Sequence, residues 1–187
     1  MILGVIISIG SIFGSTPILR TIYNAPVKLW QKMSYSTTIL DCQFEPSCSN
    51  YFMHAVDSVG IISGTIIGTD RIIRCNPGAG YYHLQKQNPK FHIDGRLIDF
   101  VSYKKNSLKY PNKYLFYPII PGLGRAKSGR EIDGLFSFLM VVSSYYNGYM
   151  FQNNHPNISR FYFTLGSIFW LADFYGTLRS VKSLTHN

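Results

Sequence analysis

The first predicted element is a basic amphipathic helix near the start of the chain. Residues 17 to 33 place apolar side chains at helical spacing, with polar and basic side chains between them. Pro26 lies inside this segment and is expected to kink the helix or divide it in two. Basic amphipathic helices that carry tryptophan are typical of segments that lie in the bilayer interface. An ordinary surface helix is the alternative, and the candidate interface residues are Arg20, Tyr23, Lys28, Trp30 and Lys32.

A helical hairpin is predicted between residues 47 and 75. Two short apolar segments at helical spacing flank Gly60, and glycine is the residue that most often ends a helix. A serine at the start of the first helix can cap it through its hydroxyl group. Pro77 ends the second helix, since the residue before a proline disfavours helical backbone angles. The glycine-rich residues 78 to 83 predict a loop.

Two apolar, aromatic-rich segments occupy the last third of the chain, at about residues 133 to 151 and 161 to 178. Each has about the length that a bilayer requires, which predicts a transmembrane helical hairpin. A buried hairpin of a soluble domain is the alternative. Basic residues precede the first segment and follow the second, so the positive-inside rule places both ends of the hairpin in the cytoplasm. Asp173 would be costly inside a bilayer. Either it pairs with a partner subunit or it is hydrated near Arg179, and hydration is preferred.

The residues between these helical parts are polar and basic. Asp94-Gly95 predicts a β-hairpin turn within a linker. Further on, a glycine-rich stretch ends in Lys-Ser, but Ala126 stands where a P-loop requires glycine, so no nucleotide site is predicted. The predicted parts are an apolar N-terminal segment (1–16), the amphipathic helix with the hairpin (17–83), the linker (84–117) and a membrane module (118–187).

The predicted elements make the protein mainly α-helical, and its composition favours association with a membrane. Of the 187 residues, 46% are hydrophobic and 16% aromatic, while 14% are charged, against about 25% in typical soluble domains. The net charge is +9. In a soluble protein this charge would suggest nucleic acid, whereas beside a bilayer it indicates anionic lipid, at roughly 1 kcal/mol for each nearby basic residue. We therefore expect an anionic lipid bilayer as partner, and no nucleic acid.

The chain has three cysteines, Cys42, Cys48 and Cys75. An odd number excludes a complete disulfide framework, and reduced thiols in a cytosolic compartment are the simplest interpretation. A metal site, a reversible disulfide and ordinary packing are all open, and packing is preferred because the spacing departs from zinc and redox motifs. No metal, cofactor or catalytic residue is assigned, since no nucleophile and base stand in a recognisable pattern.

Two short sequence blocks hold these cysteines in a distinctive pattern. The first block has the form Cys-x-Phe-x-Pro-Ser-Cys-Ser-x-Tyr, and the second, after a helix-glycine-helix spacing, ends in Arg-Cys-x-Pro. Over residues 17 to 83 the pattern resembles the YidD family, the membrane protein insertion efficiency factors. Residues 80 to 83 lack the aspartate with which that family usually continues. The matching motif residues are Cys42, Phe44, Pro46, Ser47, Cys48, Ser49, Tyr51, Arg71, Arg74, Cys75 and Pro77.

The resemblance implies a non-enzymatic accessory factor at the cytoplasmic face of the bacterial inner membrane. Such a factor would assist the insertion of nascent membrane proteins near the Sec translocon and the YidC insertase. Members of the family are typically small and peripheral, so a C-terminal membrane hairpin would be an addition to it. The rival hypothesis is a membrane-bound thiol- or metal-dependent enzyme that uses Cys48, whose predicted place at a helix N-terminus would lower the pKa of its thiol. A membrane-active, toxin-like peptide is a third hypothesis.

Overall fold

The structure, a computed structural model, describes residues 16–34, 42–86, 88–100 and 116–184, with side chains described as far as residue 180. The apolar run 1–13 and the lysines at 104, 105, 109 and 113 lie outside the described residues. The helices are α1 (Pro17–Ser34), α2 (Cys48–Val59), α3 (Ile61–Arg74), α4 (Ala79–Leu84), α5 (Leu123–Lys127), α6 (Glu131–Met150) and α7 (Pro156–Leu184). Two short strands, β1 (Phe44–Glu45) and β2 (Leu97–Ile98), and a 3-10 turn at Tyr117–Ile119 complete the described elements.

Helices α2 and α3 form the predicted hairpin, and the two backbones cross at close range. The hydroxyl of Ser47 caps α2 by accepting a hydrogen bond from the backbone N–H of Asn50, 3.4 Å away. Gly60 turns the chain between the helices with a φ of +88°, which glycine adopts without steric cost. At Gly64 a Cβ would lie 2.4 Å from the Cα of Val56. The absence of a side chain at this position therefore lets the two helices meet backbone to backbone.

Helix α4 occupies most of the stretch for which a loop was predicted, so that prediction is wrong. The side-chain oxygen of Asn76 accepts a hydrogen bond from the backbone N–H of Gly78 at 2.8 Å, which closes a turn directly after α3. The chain then continues as helix, with Tyr82 and His83 buried on its inner side. Burial of these two rings favours helix despite the glycines of the segment.

The β1 and β2 strands pair in parallel and bring the middle of the chain onto the hairpin. Phe44 pairs with Leu97, and both side chains are buried. The predicted turn at Asp94-Gly95 is present in short form: Gly95 has a φ of +86°, and Phe91 bridges Leu97 in antiparallel register. Because β2 is anchored in this way, the residue that follows it, Asp99, lies against α3.

Helices α6 and α7 form an antiparallel pair that packs on α3, not a transmembrane hairpin. No helix within the described residues is long and apolar enough to cross a membrane, so the predicted transmembrane hairpin is wrong, and the topology inferred from it loses its basis. The physical reason is that polar residues interrupt both apolar segments. The buried polar side chains of the two helices include Asp133, Ser137, Ser144, Asp173 and Thr177.

Candidate functional site

Helix α1 contacts the hairpin through its polar face. Asn24 is buried, and its side-chain nitrogen donates to a carboxylate oxygen of Asp57 at 3.2 Å. Near the other end of the helix, the side-chain nitrogen of Gln31 donates to the hydroxyl of Ser49 at 2.9 Å. The helix runs as one element through Pro26, so of the two outcomes predicted there, a kink or a division, the division does not occur. Helix α1 is thus attached to the hairpin by its polar side.

The apolar face of α1 is turned outward as a consequence. Large side chains that would ordinarily pack on a core stand exposed along it, with relative exposure between 54% and 72% for Ile18, Ile22, Leu29, Trp30 and Met33. Lys28 and Lys32 are exposed beside this stripe. Arg20 and Tyr23 contact the hairpin instead: Arg20 donates to the carbonyl oxygen of Asp57, and the Tyr23 hydroxyl lies 2.7 Å from that of Thr65.

The three cysteines lie together at the start of α2 and the end of α3. Their sulfur atoms are all within 4.8 Å of one another, and the sulfurs of Cys42 and Cys48 are 3.3 Å apart. All three are free thiols. They pack against a small apolar cluster formed by Phe44, Ala79 and Leu97. Three thiolates so arranged could bind a soft metal ion such as zinc, which needs a fourth ligand; the group contains no histidine or carboxylate among the described residues.

Hydrogen bonding concentrates the negative charge of this cluster on Cys42. Hydrogen bonds from Cys48 and Cys75 lower the pKa of the Cys42 thiol to about 2. The hydrogen bonds with Cys42 and Cys75, together with burial, raise the pKa of Cys48 above its ordinary value. The prediction that the thiol of Cys48 is the one with a lowered pKa is therefore wrong.

Several residues of the sequence motif surround one buried arginine, Arg71. The Arg71 guanidinium lies 3.8 Å from the ring centre of Phe44 and 4.5 Å from that of Tyr51. One of its nitrogens donates to the carbonyl oxygen of Pro46 at 3.2 Å, and another to the Asp99 carboxylate at 2.7 Å. Arginine suits this position because a planar cation can both stack on rings and donate several hydrogen bonds. The motif spacing thus builds a cage around Arg71.

A buried ion network joins the hairpin to the C-terminal helices. Asp70 on α3 is fully buried, and its two carboxylate oxygens accept hydrogen bonds from Arg125 at 2.7 Å and from Arg74 at 3.1 Å. Arg125 also donates to Asp173 on α7 at 2.8 Å. Asp99 accepts from Arg74 at 2.7 Å as well as from Arg71. Asp70 therefore binds guanidinium groups from two parts of the chain, and Arg125 links Asp70 to Asp173.

The network keeps its carboxylates ionised despite burial. Burial alone would raise the pKa of Asp70, but the guanidinium groups of Arg179, Arg125 and Arg74 outweigh it and hold this pKa below its ordinary value. Burial also opposes ionisation of Asp99, and Arg74 leads the cations that lower the pKa of that carboxyl. Burial likewise disfavours the charge on Arg74, yet the two carboxylates raise its pKa above the ordinary value.

Sequence reasoning missed most of this network. Asp173 was expected to be hydrated, but it is fully buried against Arg125, so that prediction is wrong. Asp70 and Arg74 are four residues apart on α3, a spacing that favours ion pairs and was a usable signal. Asp99 gave no local signal, because it lies 28 residues from its partner Arg71.

The geometry defines a class of small helical protein: a cysteine-containing hairpin that carries an amphipathic helix with its apolar face outward. A family model described as "Putative membrane protein insertion efficiency factor", YidD, matches residues 19–83. A protein of that name from Cytophaga hutchinsonii is 37% identical over 71 residues, which are 35% of this chain and 86% of that protein. The chain therefore belongs to the YidD family.

Two further relatives with the same name are similar over shorter stretches. The protein from Thermotoga neapolitana is 41% identical over 51 residues, 27% of this chain and 65% of that protein. The protein from Thermotoga maritima is 53% identical over 36 residues, 19% of this chain and 44% of that protein. The chain thus spans less than two thirds of these two relatives. No solved structure matches the chain.

Proposed function

We propose that this protein is an accessory factor that assists the insertion of proteins into the bacterial inner membrane. The names of its relatives describe that task. The observation that carries the proposal is the outward-facing apolar stripe of α1, which the protein holds by the opposite, polar face. A helix mounted in this way presents its apolar side chains without having to detach from the hairpin.

The proposed partner of this stripe is the surface of an anionic bilayer on the cytoplasmic side. Apolar side chains of α1 would enter the boundary between head groups and acyl chains, as they do in other interfacial helices. Lys28 and Lys32 stand beside the stripe, where anionic head groups would attract them. Lipid contact of this kind requires no transmembrane helix.

We propose more specifically that the protein works beside the YidC insertase and the Sec translocon on nascent membrane proteins. A factor at the head-group level is at the depth where apolar segments of a nascent chain pass from water into lipid. We infer an accessory role and not an enzymatic one. In support, the names of the relatives describe such a role.

Site-specific photocrosslinking during the synthesis of an inner-membrane protein tests the proposed function. A crosslinker placed at Trp30, which is 54% exposed on the apolar stripe, is expected to form adducts with the nascent chain, the insertase or the translocon. The matched control position is Ile93, which is fully exposed on the Asp94-Gly95 turn. Adducts from Trp30 to lipid alone, or equal adducts from both positions, would contradict the insertion role.

Vesicle flotation tests the lipid contact separately from the insertion role. Leu29→Ser should weaken binding to anionic vesicles about tenfold, because a fully buried leucine contributes ~1.5 kcal/mol or more. Lys28→Gln should weaken it about fivefold on anionic vesicles and have no effect on zwitterionic ones. Ile93→Ser should leave binding unchanged. If both α1 variants bind vesicles as well as the unaltered protein does, α1 is not the lipid-contacting surface.

A further inference from the structure

A cleft of about 410 Å³ lies where the YidD-like hairpin meets the C-terminal helices. Its volume is within the ~300–1,000 Å³ range of small-molecule sites. Phe44, Tyr82 and Arg74 line it from the side of the hairpin, and Arg130 and Arg179 from the side of the C-terminal helices. The cleft therefore exists only because residues 116–184 pack on the YidD-like part of the chain.

Positive charge exceeds negative charge around this cleft. Lys86, Arg74, Arg130 and Arg179 line it, whereas Asp99 is the one carboxylate among the described residues that line it. The excess persists when the whole network is counted within the described residues. Six cationic side chains (Arg71, Arg74, Lys86, Arg125, Arg130, Arg179) face four carboxylates (Asp70, Asp99, Asp133, Asp173).

One donor in the cleft wall lacks a hydrogen-bond partner. Arg74 is 4% exposed, its Nε donates to Asp70 and its Nη1 to Asp99. Its Nη2 is buried and has no acceptor among the residues that the structure describes. Arg74 therefore contributes to the cleft wall a cation whose donors are not all used by the network. The two bonds that Arg74 makes fix its guanidinium group in that wall.

We propose that the cleft binds a phosphate group. Phosphate is the acceptor that fits, because its tetrahedral oxygens can accept from several guanidinium and ammonium groups arranged around it. Arg130 and Arg179 retain exposed fractions of 20% and 32% in their side chains, so a ligand can reach them from solvent. Tyr82, against which Arg130 stacks at 4.4 Å, provides a wall for the rest of the molecule. The phosphate comes either from a phospholipid head group or from a free phosphorylated compound.

Calorimetric titration of inorganic phosphate into the full-length protein tests this site, at constant ionic strength maintained with chloride. Lys86→Gln and Arg179→Gln should each weaken phosphate binding about tenfold. Both residues are partly exposed, so these variants are expected to fold, which thermal unfolding would verify. The control is Arg160→Gln, which removes the same charge from an exposed position on α7 and should leave binding unchanged.

Flotation with phosphatidylglycerol vesicles separates the two sources of phosphate. If the head group is the ligand, Arg179→Gln weakens vesicle binding and added inorganic phosphate releases the protein from the vesicles. If a free phosphorylated compound is the ligand, the variant loses phosphate binding while vesicle binding is unchanged. Two results would overturn the proposal. In the first, Lys86→Gln, Arg179→Gln and Arg160→Gln bind phosphate and vesicles as well as the unaltered protein does. In the second, the unaltered protein binds neither phosphate nor vesicles. The proposal does not depend on α1, so it can fail or succeed independently of the insertion role.

Discussion

At the scale of single residues, Arg125 stands out as a fully buried cation between two buried carboxylates. It is fully buried between Asp70 on α3 and Asp173 on α7, and it also donates to the carbonyl oxygen of Ala172 at 3.0 Å. A buried ion pair adds little net stability, because desolvation offsets most of the attraction. Removing one partner is a different matter, since the charges that remain have lost their compensation. Removing Arg125 should therefore lower the stability of the fold by more than the ion pairs contribute to it in net terms.

Arg125→Met is expected to lower the free energy of unfolding by about 3–5 kcal/mol, because it leaves two buried carboxylates without their shared cation. Arg125→Lys should recover only part of this loss, since an ammonium group cannot reproduce the fork that bridges both aspartates. Urea unfolding followed by circular dichroism measures these values. Arg160→Met, at an exposed position, should change stability by less than about 0.5 kcal/mol. A loss for Arg125→Met as small as that of the control would show that the network does not contribute as described.

The lowered pKa values of Asp70 and Asp99 predict a loss of stability in acid. A carboxyl whose pKa is lower in the folded state than in the unfolded chain stabilises the fold above its unfolded pKa, about 3.9, and this contribution disappears as the pH falls towards the folded value. The free energy of unfolding should therefore be steady at neutral pH and decrease progressively below about pH 5.

Asp99→Asn isolates one of these contributions. The variant should be less stable than the unaltered protein at pH 7 by about 2 kcal/mol, and the difference should narrow as the pH falls below about 5. Urea unfolding at a series of pH values measures both effects. Glu131→Gln, which removes an exposed carboxylate, serves as the control and should keep the full acid dependence. A constant difference between Asp99→Asn and the unaltered protein at every pH would contradict the assignment.

At the scale of elements, the contact between α2 and α3 depends on backbone proximity. Gly64→Ala should destabilise the protein by about 1–3 kcal/mol, because its Cβ would meet the Val56 backbone at 2.4 Å and the helices would have to separate. Gly80→Ala is the matched control, since Gly80 lies in α4 and a Cβ added there would have no atom within 4 Å. It should be neutral or stabilise by up to about 1 kcal/mol through better helix propensity. Thermal unfolding of the two variants side by side measures the contrast.

The elements that could be predicted from sequence are those fixed by local signals. The spacing of apolar residues gave α1, and Gly60 with the serine cap gave the hairpin. The same signals could not give α4, whose helix depends on the burial of Tyr82 and His83 by distant residues. Nor could they give β2, since pairing Leu97 with Phe44 is decided by tertiary contact. Local patterns thus predict the strongly amphipathic helices, but not which of their faces packs on another element.

The last two helices illustrate that limit most clearly. Length and aromatic content suggested membrane spans, and the strongest contrary signals in the sequence are Asp133 and Asp173. Both carboxylates are fully buried in ion pairs, with Arg130 and Arg125 respectively. The candidate site was predictable to the same extent: the motif residues and the face of α1 were visible in the sequence, whereas the network required residues far apart in the chain.

At the scale of the whole molecule, the ion network makes the hairpin and the C-terminal helices dependent on each other. Asp70 is buried only while Arg125 and α7 cover it, and Asn76, which closes the turn after α3, donates to Asp133 on α6 at 2.7 Å. Separating the two parts would break several buried hydrogen bonds and ion pairs at once. We therefore expect the described helices to unfold in one cooperative transition, as small domains usually do.

The two tryptophans allow this expectation to be tested, because one lies on α1, which contacts the hairpin, and the other on the C-terminal helices. Trp30 is on α1, and Trp170 is on α7, where its ring nitrogen donates to the carbonyl oxygen of Pro118 at 2.7 Å. In Trp30→Phe the remaining fluorescence reports on α7, and in Trp170→Phe it reports on α1. Within each variant, the midpoint from fluorescence should coincide with the midpoint from circular dichroism, since the network transmits the loss of either part to the other. If Trp170 instead reports a separate transition, α6 and α7 unfold independently of the hairpin, and the buried carboxylates cannot couple the two parts.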